Sequence, residues 1–145
     1  MSALDVAHEL AERGIRVFPI GRNSKLPAIP NPHPKDSEER KSCKGECGLE
    51  GHGFKDATTD HGKIDAWANR FKGCNFGVAT GNESGVIVID IDGPEGQDWF
   101  DSLWVTPGAA VETPSGGRHY YYAPVDDAEY KSTVKNLHPE VDTRI

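Results

Sequence analysis

The chain has 145 residues, enough for one domain with its own hydrophobic core. Its 16 lysines and arginines and 23 aspartates and glutamates give a net charge of −7. This charge argues against a protein that coats nucleic acid through a basic surface. It does not argue against an enzyme that holds nucleotides through metal ions. No apolar stretch approaches the roughly 18 residues of a membrane span and no signal sequence opens the chain, so we expect a cytoplasmic protein without membrane association.

The N-terminal half is predicted to contain two helices and two strands around a long polar segment. In chain order these are a helix at 3–13, a strand at 15–20, the polar segment at 21–60, a helix at 60–71 and a strand with its turn at 75–81. Ser2 and Asp60 are the expected N-caps, and Gly14 is the expected stop of the first helix. A polar segment of this length within a compact domain is usually functional or disordered.

The C-terminal half is predicted to be mostly antiparallel sheet. Its elements are a strand at 86–92, a helix from 94, a hairpin of strands at 110–113 and 119–122, and a strand from 141. Together the two halves indicate an α+β fold with a largely antiparallel centre and flanking helices. We interpret Cys74 and five aromatic residues at helical spacing as core residues, the aromatics being Trp67, Phe71, Trp99, Phe100 and Trp104.

Two aspartates end the strongest apolar run of the chain. Side chains alternate between the faces of a strand, so Asp90 and Asp92 point to the same side, roughly 6.5–7 Å apart along the strand. Two like charges side by side on a sheet are costly unless a cation or hydrogen-bond donors offset them. The simplest offset is a divalent metal ion.

A glycine-containing hairpin follows that strand. The turn before His119 carries Ser115 and Arg118 beside two glycines, and hydroxyl, guanidinium, imidazole and backbone N–H groups suit a polyphosphate. The alternative is an ordinary hairpin with a Gly-Gly turn and a packed histidine.

Asp142 lies on the last predicted strand and would complete a three-carboxylate site with Asp90 and Asp92. Three carboxylates and a histidine around two divalent ions fit in-line phosphoryl or nucleotidyl transfer. The alternative for Asp142 is a solvated aspartate at a strand end.

Cysteine and histidine cluster in a separate segment, at 31–55. Cys43, Cys47 and His52 lie at short spacings among glycines, and thiolate with imidazole favours tetrahedral zinc. The sequence leaves the fourth ligand open: His33 is the first choice, and Glu46, His61 or water are the others. A bound metal ion would order this polar loop without a hydrophobic core. The alternative is two ordinary loop cysteines.

Three ordered motifs resemble those of the archaeo-eukaryotic primase superfamily, and most closely the bifunctional DNA primase/polymerase N-terminal domain of phages and plasmids. The motifs are Asp90-Ile91-Asp92, Ser115-Gly116-Gly117-Arg118-His119 and Val141-Asp142-Thr143-Arg144, with further matches at 23–27, 56–60 and 75–81. Together they cover nearly the whole chain as one primase/polymerase domain, 1–145.

The resemblance implies a fold, a reaction and roles for single residues. The fold is a small N-terminal α/β unit joined to a catalytic sheet resembling an RNA-recognition fold, and the reaction is primer synthesis or extension on a single-stranded DNA template from NTPs or dNTPs. Asp90, Asp92 and Asp142 would hold Mg²⁺ or Mn²⁺, and His119 would contact the nucleotide phosphates beside Ser115 and Arg118. Lys25 would contact nucleotide or template. Several relatives carry a zinc loop, and in longer ones a helicase module often follows.

The resemblance also predicts that this chain is incomplete. Family members continue past the third motif into a glycine-rich strand, whereas this sequence ends at Ile145. We therefore expect a frayed edge strand at Asp142, and two explanations stay open: a truncated or split gene, or a second polypeptide that supplies the rest of the sheet. The chain is expected to be a primase/polymerase-type nucleotidyltransferase, and whether it is active without that strand is left to an assay of the purified chain.

Two other function classes remain open. Carboxylates with a histidine also serve a metal-dependent nuclease or phosphodiesterase, and the glycine-histidine hairpin is the feature that favours a triphosphate instead. A non-catalytic, zinc-stabilised nucleic-acid-binding remnant would fold normally, hold zinc and incorporate no nucleotide.

Overall fold

The computed structural model describes residues 1–125 and 128–145. The chain divides into two compact units, Met1–Ala79 and Thr80–Ile145. Each unit combines helices with an antiparallel sheet, so the predicted α+β fold class is confirmed. None of the helices in the described ranges is long and apolar enough to cross a membrane.

The first unit contains three helices and a two-stranded antiparallel sheet. In chain order they are α1 (Ala3–Glu12), β1 (Val17–Ile20), α2 (Glu38–Ser42), α3 (His61–Arg70) and β2 (Asn75–Val78). As predicted, Ser2 and Asp60 cap α1 and α3: their side chains accept the N–H groups of Asp5 and Lys63 at 3.2 and 2.8 Å. The core of the unit consists of small and branched side chains from α1, β1 and α3: Ala7, Ala11, Val17 and Ile64.

Capping and turns order the two helical pieces of the polar segment between β1 and α3. Ser37 caps the short helix α2 by accepting the N–H of Arg40 at 3.2 Å, and a 3-10 turn follows at Gly53–Asp56. Neither helical piece contains a buried residue. The hydrophobic effect therefore contributes little to fixing these two helical pieces, although Ile29 in the same segment is buried.

The second unit is a five-stranded antiparallel sheet with one helix. Its elements are β3 (Ile87–Ile91), α4 (Pro94–Asp101), β4 (Ala109–Glu112), β5 (Arg118–Tyr122), β6 (Thr133–His138) and β7 (Val141–Arg144), and the strand order is β4-β5-β3-β7-β6. Helix α4 packs on the sheet through Phe100, whose ring stacks on Tyr120 at 4.3 Å between centroids. Ile91 and Val141 complete this core.

Strand β6 is absent from the sequence prediction, and it changes the position of β7. The prediction of a frayed edge strand at Asp142 is wrong, because β7 pairs with β3 on one side and with β6 on the other. The sequence does not predict β6 because its apolar residues Val134 and Leu137 are exposed and three residues apart. In addition, Lys135 has a left-handed backbone (φ 52°), and the register with β7 is irregular there. Such a strand has no period-two hydrophobic pattern.

The predicted core aromatics are confirmed in part. Trp67 and Phe100 are buried, and so is Cys74. Trp104 is 93% exposed, so its assignment to the core is wrong. Helix α4 ends at Asp101 and Trp104 has φ 54°, so the helical spacing on which the assignment rested stops before this residue.

Candidate active site and metal centre

Three of the predicted site residues lie in one row across the sheet of the second unit. Asp90, on the central strand β3, is directly opposite His119 on β5 and directly opposite Asp142 on β7. Residues opposite one another on neighbouring strands point to the same face of a sheet. His119 Nε2 lies 3.2 Å from Asp90 Oδ1, so these two side chains of the row are in contact.

Asp92 joins this row from the end of β3. Asp90, Asp92 and Asp142 each have one carboxylate oxygen that lies within 4.8 Å of the other two. Asp90 and Asp142 are half-buried and Asp92 is exposed, so the cluster is open to solvent on one side. A set of hard oxygen ligands fits Mg²⁺ or Mn²⁺.

Two groups to which the sequence analysis assigns no role hold these carboxylates. The Arg144 guanidinium lies 3.0 Å from Asp142 Oδ2 and 3.7 Å from Asp90 Oδ2, and the Lys135 N–H donates to Asp142 Oδ1 at 2.9 Å. Arg144 offsets part of the repulsion between the two aspartates. Its place two residues after Asp142 on the same strand is a signal that could have identified it, because period two puts both side chains on one face.

Tyr121 borders the row beside His119. Its ring meets the imidazole edge-on, with 6.4 Å between centroids. Burial raises the pKa of Tyr121, and the negative charge of Asp90 raises it further. Tyr121 therefore presents a neutral phenol at neutral pH, and His119 and Tyr121 share a face as the alternation predicts.

The turn between β4 and β5 uses its glycine amides internally. Gly116 N–H donates to the Thr113 carbonyl at 2.9 Å, and Gly117 N–H donates to the Thr113 hydroxyl at 3.0 Å. The expectation that both amides face a polyphosphate therefore needs correction. The hydroxyl of Ser115, 3.1 Å from that of Thr113, is exposed and available to a ligand.

Arg118 and His119 lie on opposite faces of β5. The Arg118 guanidinium is 3.4 Å from Glu112 Oε1 and 3.5 Å from the Tyr120 hydroxyl. It lines an open pocket of about 340 Å³ between the β4–β5 turn and the start of α4, together with Ser115 and Asp92. The predicted contact of Arg118 with a nucleotide phosphate stays a prediction, and this pocket is where it would occur.

Gly117 fits this turn because it has no side chain. A Cβ at this position would lie 2.4 Å from the Ile91 carbonyl oxygen. We expect Gly117→Ala to lower the free energy of unfolding by about 1–3 kcal/mol, since backbone must move to accept the methyl group. Chemical denaturation measures it, with Ser115→Ala, an exposed neighbour expected to stay within about 0.5 kcal/mol, as the control. An alanine variant as stable as the parent would contradict this packing.

A second cluster lies in the first unit and consists of His33, Cys43, Cys47 and His52. Their ligand atoms all lie within 4.8 Å of one another. His52 Nε2 is 3.4 Å from His33 Nε2 and 3.7 Å from Cys47 Sγ. When a tetrahedral zinc ion is bound at its usual bond lengths, two nitrogen ligands lie about 3.3 Å apart and a nitrogen and a sulfur ligand lie about 3.6 Å apart. The cluster therefore fits zinc.

The surroundings of the cluster favour the metal-binding forms of its ligands. Backbone N–H groups of Gly45 and Cys47 lower the pKa of the Cys43 thiol, which favours the thiolate. The Nδ1 atom of buried His52 has no hydrogen-bond partner among residues 1–125 and 128–145 and lies 3.7 Å from Asp56 Oδ1. Asp56 in turn accepts the N–H groups of Gly51 and His52. A carboxylate behind the ring of a ligating histidine is a common outer layer of zinc sites.

The other predicted ligands, Glu46 and His61, are not members of the four-residue cluster, although the Glu46 carboxylate interacts with the Cys43 thiol. Glu46 accepts the Lys44 N–H at 2.5 Å, and His61 Nδ1 lies 2.6 Å from His8 Nδ1. Lys25 is exposed in the turn after β1, which the Ile20–Pro27 bridge closes. Its contact with nucleotide or template stays a prediction.

Comparison with protein families gives one match. The model of the family described as bifunctional DNA primase/polymerase, N-terminal (Prim-Pol), matches residues 7–145. Comparisons with curated proteins and with solved structures give no match. The matched region contains both side-chain clusters.

Proposed function

The chain belongs to the bifunctional DNA primase/polymerase N-terminal family, and from that premise we propose that it extends or synthesises primers on a single-stranded DNA template. Members of this family are nucleotidyltransferases that use divalent metal ions, a DNA template and nucleotide substrates. We propose Asp90, Asp92 and Asp142 as the ligands of Mg²⁺ or Mn²⁺ and His119 as the contact to the incoming nucleotide.

The observation that carries this proposal is the row of Asp90, His119 and Asp142 on three adjacent strands. Their mutual positions depend on the register of the sheet, which is stiffer than a loop. Divalent ions bound there would supply the positive charge that activates a primer hydroxyl and neutralises the leaving pyrophosphate. The carboxylates contribute by holding that charge in a half-buried site, where it acts more strongly than in water.

The phosphate-binding part of the proposal depends on side chains. His119 lies beside Asp90 in the row, while Ser115 and Arg118 line the pocket that also contains Asp92. A triphosphate that reaches from the pocket to the row would meet a hydroxyl, a guanidinium and an imidazole, and charge-assisted hydrogen bonds of this kind bind phosphate well. Arg144 would exchange its carboxylate partners for this anionic ligand or remain as a counter-charge.

We propose a structural role for zinc in the segment 31–55. The four ligand atoms, the distances among them and the polar surroundings support one tetrahedral ion. The segment contains little apolar core, so metal binding would supply the ordering energy. The zinc loop would thus stabilise the first unit rather than take part in nucleotide transfer.

Partners beyond template and nucleotide are part of the proposal as well. Strands β4 and β6 form the two edges of the sheet in the described part of the chain. A strand edge with unpaired backbone groups can accept a further strand. A second polypeptide would add a strand at one of these edges, and a helicase is a further candidate partner.

A primer-extension assay tests the proposed function. The purified chain is incubated with Mn²⁺, a labelled dNTP or NTP, and a primed single-stranded template, with Asp142→Asn as the matched inactive control. Extension that the control lacks supports the polymerase. Shortening of the primer would instead indicate a nuclease, and zinc binding with no change of the primer would indicate a non-catalytic remnant.

A further inference from the structure

Helix α4 begins without a side-chain cap of its own. Its N-cap is Gly93, which has no side chain, and its first residue is Pro94, which has no N–H group. The N–H of Gly96 in the first turn is instead bound by Glu140, whose Oε2 accepts it at 2.7 Å. Glu140 lies in the turn between β6 and β7, 44 residues further along the chain.

Glu140 makes a second contact with the end of β3. Its backbone carbonyl accepts the N–H of Asp92 at 3.0 Å. One residue therefore joins the helix start, the end of β3 and the start of β7. Two of the proposed metal ligands are therefore close to Glu140: Asp92 donates its N–H to Glu140, and Asp142 follows Glu140 by two positions.

The N-cap glycine of α4 and a glycine in its first turn leave room for this side chain. A Cβ on Gly93 would lie 2.3 Å from the Glu140 carboxylate, and one on Gly96 would lie 2.9 Å from Glu140 Cβ. The carboxylate thus rests directly on the helix backbone, where the positive end of the helix dipole stabilises it. Next to it, Val141 is 1% exposed and packs in the core, which fixes the beginning of β7.

We propose that Glu140 is a positioning residue for the metal-binding carboxylates. By binding α4 with its side chain and β3 with its carbonyl, it holds Asp92 and Asp142 at the distance at which both reach one ion. It touches no substrate in this role. The inference rests on the proposed function, because it assumes that these aspartates bind a divalent cation.

A charge effect is the competing explanation, since Glu140 is one more carboxylate near a cation site. Two variants separate the explanations. Glu140→Gln removes the charge and keeps an oxygen that can accept the Gly96 N–H, whereas Glu140→Asp keeps the charge and shortens the side chain by one methylene. Positioning predicts that the glutamine variant binds metal better than the aspartate variant, and a charge effect predicts the reverse order.

The experiment measures Mn²⁺ binding to the full chain by electron paramagnetic resonance, with Mn²⁺ alone as the probe and a thermal melt of each variant as the check of folding. We expect the dissociation constant to rise about tenfold or more in Glu140→Ala and Glu140→Asp, and to stay within about threefold in Glu140→Gln, in line with the effect of outer-layer groups at other metal sites. Glu95→Ala, an exposed carboxylate in the same turn of α4, is the matched control and is expected to bind like the parent.

Two results would overturn the inference: equal Mn²⁺ affinity in all Glu140 variants, or tighter binding in Glu140→Asp than in Glu140→Gln. If Glu140→Ala does not fold, the order of the other two variants decides. Failure of the proposed function has a different signature. In that case the parent chain does not bind Mn²⁺, or Asp90→Asn binds it as tightly as the parent.

Discussion

Asp90→Asn is expected to lower the rate of Mn²⁺-dependent nucleotide incorporation by about three orders of magnitude, equal to ~4 kcal/mol of transition-state stabilisation. Asp90 lies at the centre of the row, 3.2 Å from His119 and in register with Asp142. An amide at this position cannot supply the negative charge that a divalent ion needs. Primer extension under single-turnover conditions measures the change in rate.

Asp98→Asn is the matched control for this prediction. Asp98 is an exposed aspartate of α4 outside the three-carboxylate cluster, so the same loss of one charge is expected to leave the rate within about twofold. The thermal melts of both variants are compared with that of the parent to show that the sheet is intact. An Asp90→Asn protein that incorporates nucleotides at the parental rate would contradict the role of the row.

Cys47→Ser is expected to remove bound zinc and to lower the melting temperature by about 5–10 °C. The parent is expected to contain about one zinc ion per chain, because four ligand atoms lie at distances that fit a single tetrahedral ion. Without the metal, the segment 31–55 retains few interactions that order it. Elemental analysis and a thermal melt measure the two effects.

Cys74→Ala is the control for the zinc prediction. Cys74 is buried outside the cluster, so its loss is expected to leave the zinc content unchanged whatever it does to stability. A Cys47→Ser protein that keeps a full complement of zinc would show that the metal is held elsewhere.

The same cluster predicts how zinc binding depends on pH. The N–H groups of Gly45 and Cys47 lower the pKa of the Cys43 thiol, so its thiolate persists to a lower pH than that of an ordinary cysteine. Protons therefore compete with zinc for Cys43 at a lower pH than they would for an ordinary cysteine, and zinc is expected to be released as the pH falls. Zinc release followed with a chromogenic chelator across pH 4–8 checks the direction.

Much of this site could be predicted from the sequence, because its main features follow from local rules. The run of branched residues before Asp90 predicts a strand, and period two places Asp90 and Asp92 on one side of it. The hairpin around Gly116 and Gly117 likewise follows from turn chemistry. The same alternation puts His119 and Tyr121 on one face, as observed.

The rest depends on contacts between residues far apart in the chain. Strand β6 has exposed apolar residues and an irregular backbone, so nothing in its pattern shows that it covers β7. The bond from Glu140 to Gly96 joins positions that no periodicity connects. The choice of His33 over Glu46 and His61 as the fourth member of the cysteine cluster is also set by the folded loop, and spacing alone left it open.

The pairing of β3 with strands on both sides has a consequence for how the protein acquires activity. Asp142 enters the row only when β7 has docked in its final register, and a shift of one residue would turn its carboxylate to the opposite face. A folding intermediate that contains β3, β4 and β5 alone would bring Asp90 and His119 together yet lack the third oxygen donor. Under the proposed function, a complete metal site therefore requires β7 in this register, and the appearance of Mn²⁺ binding during refolding is expected to report that pairing.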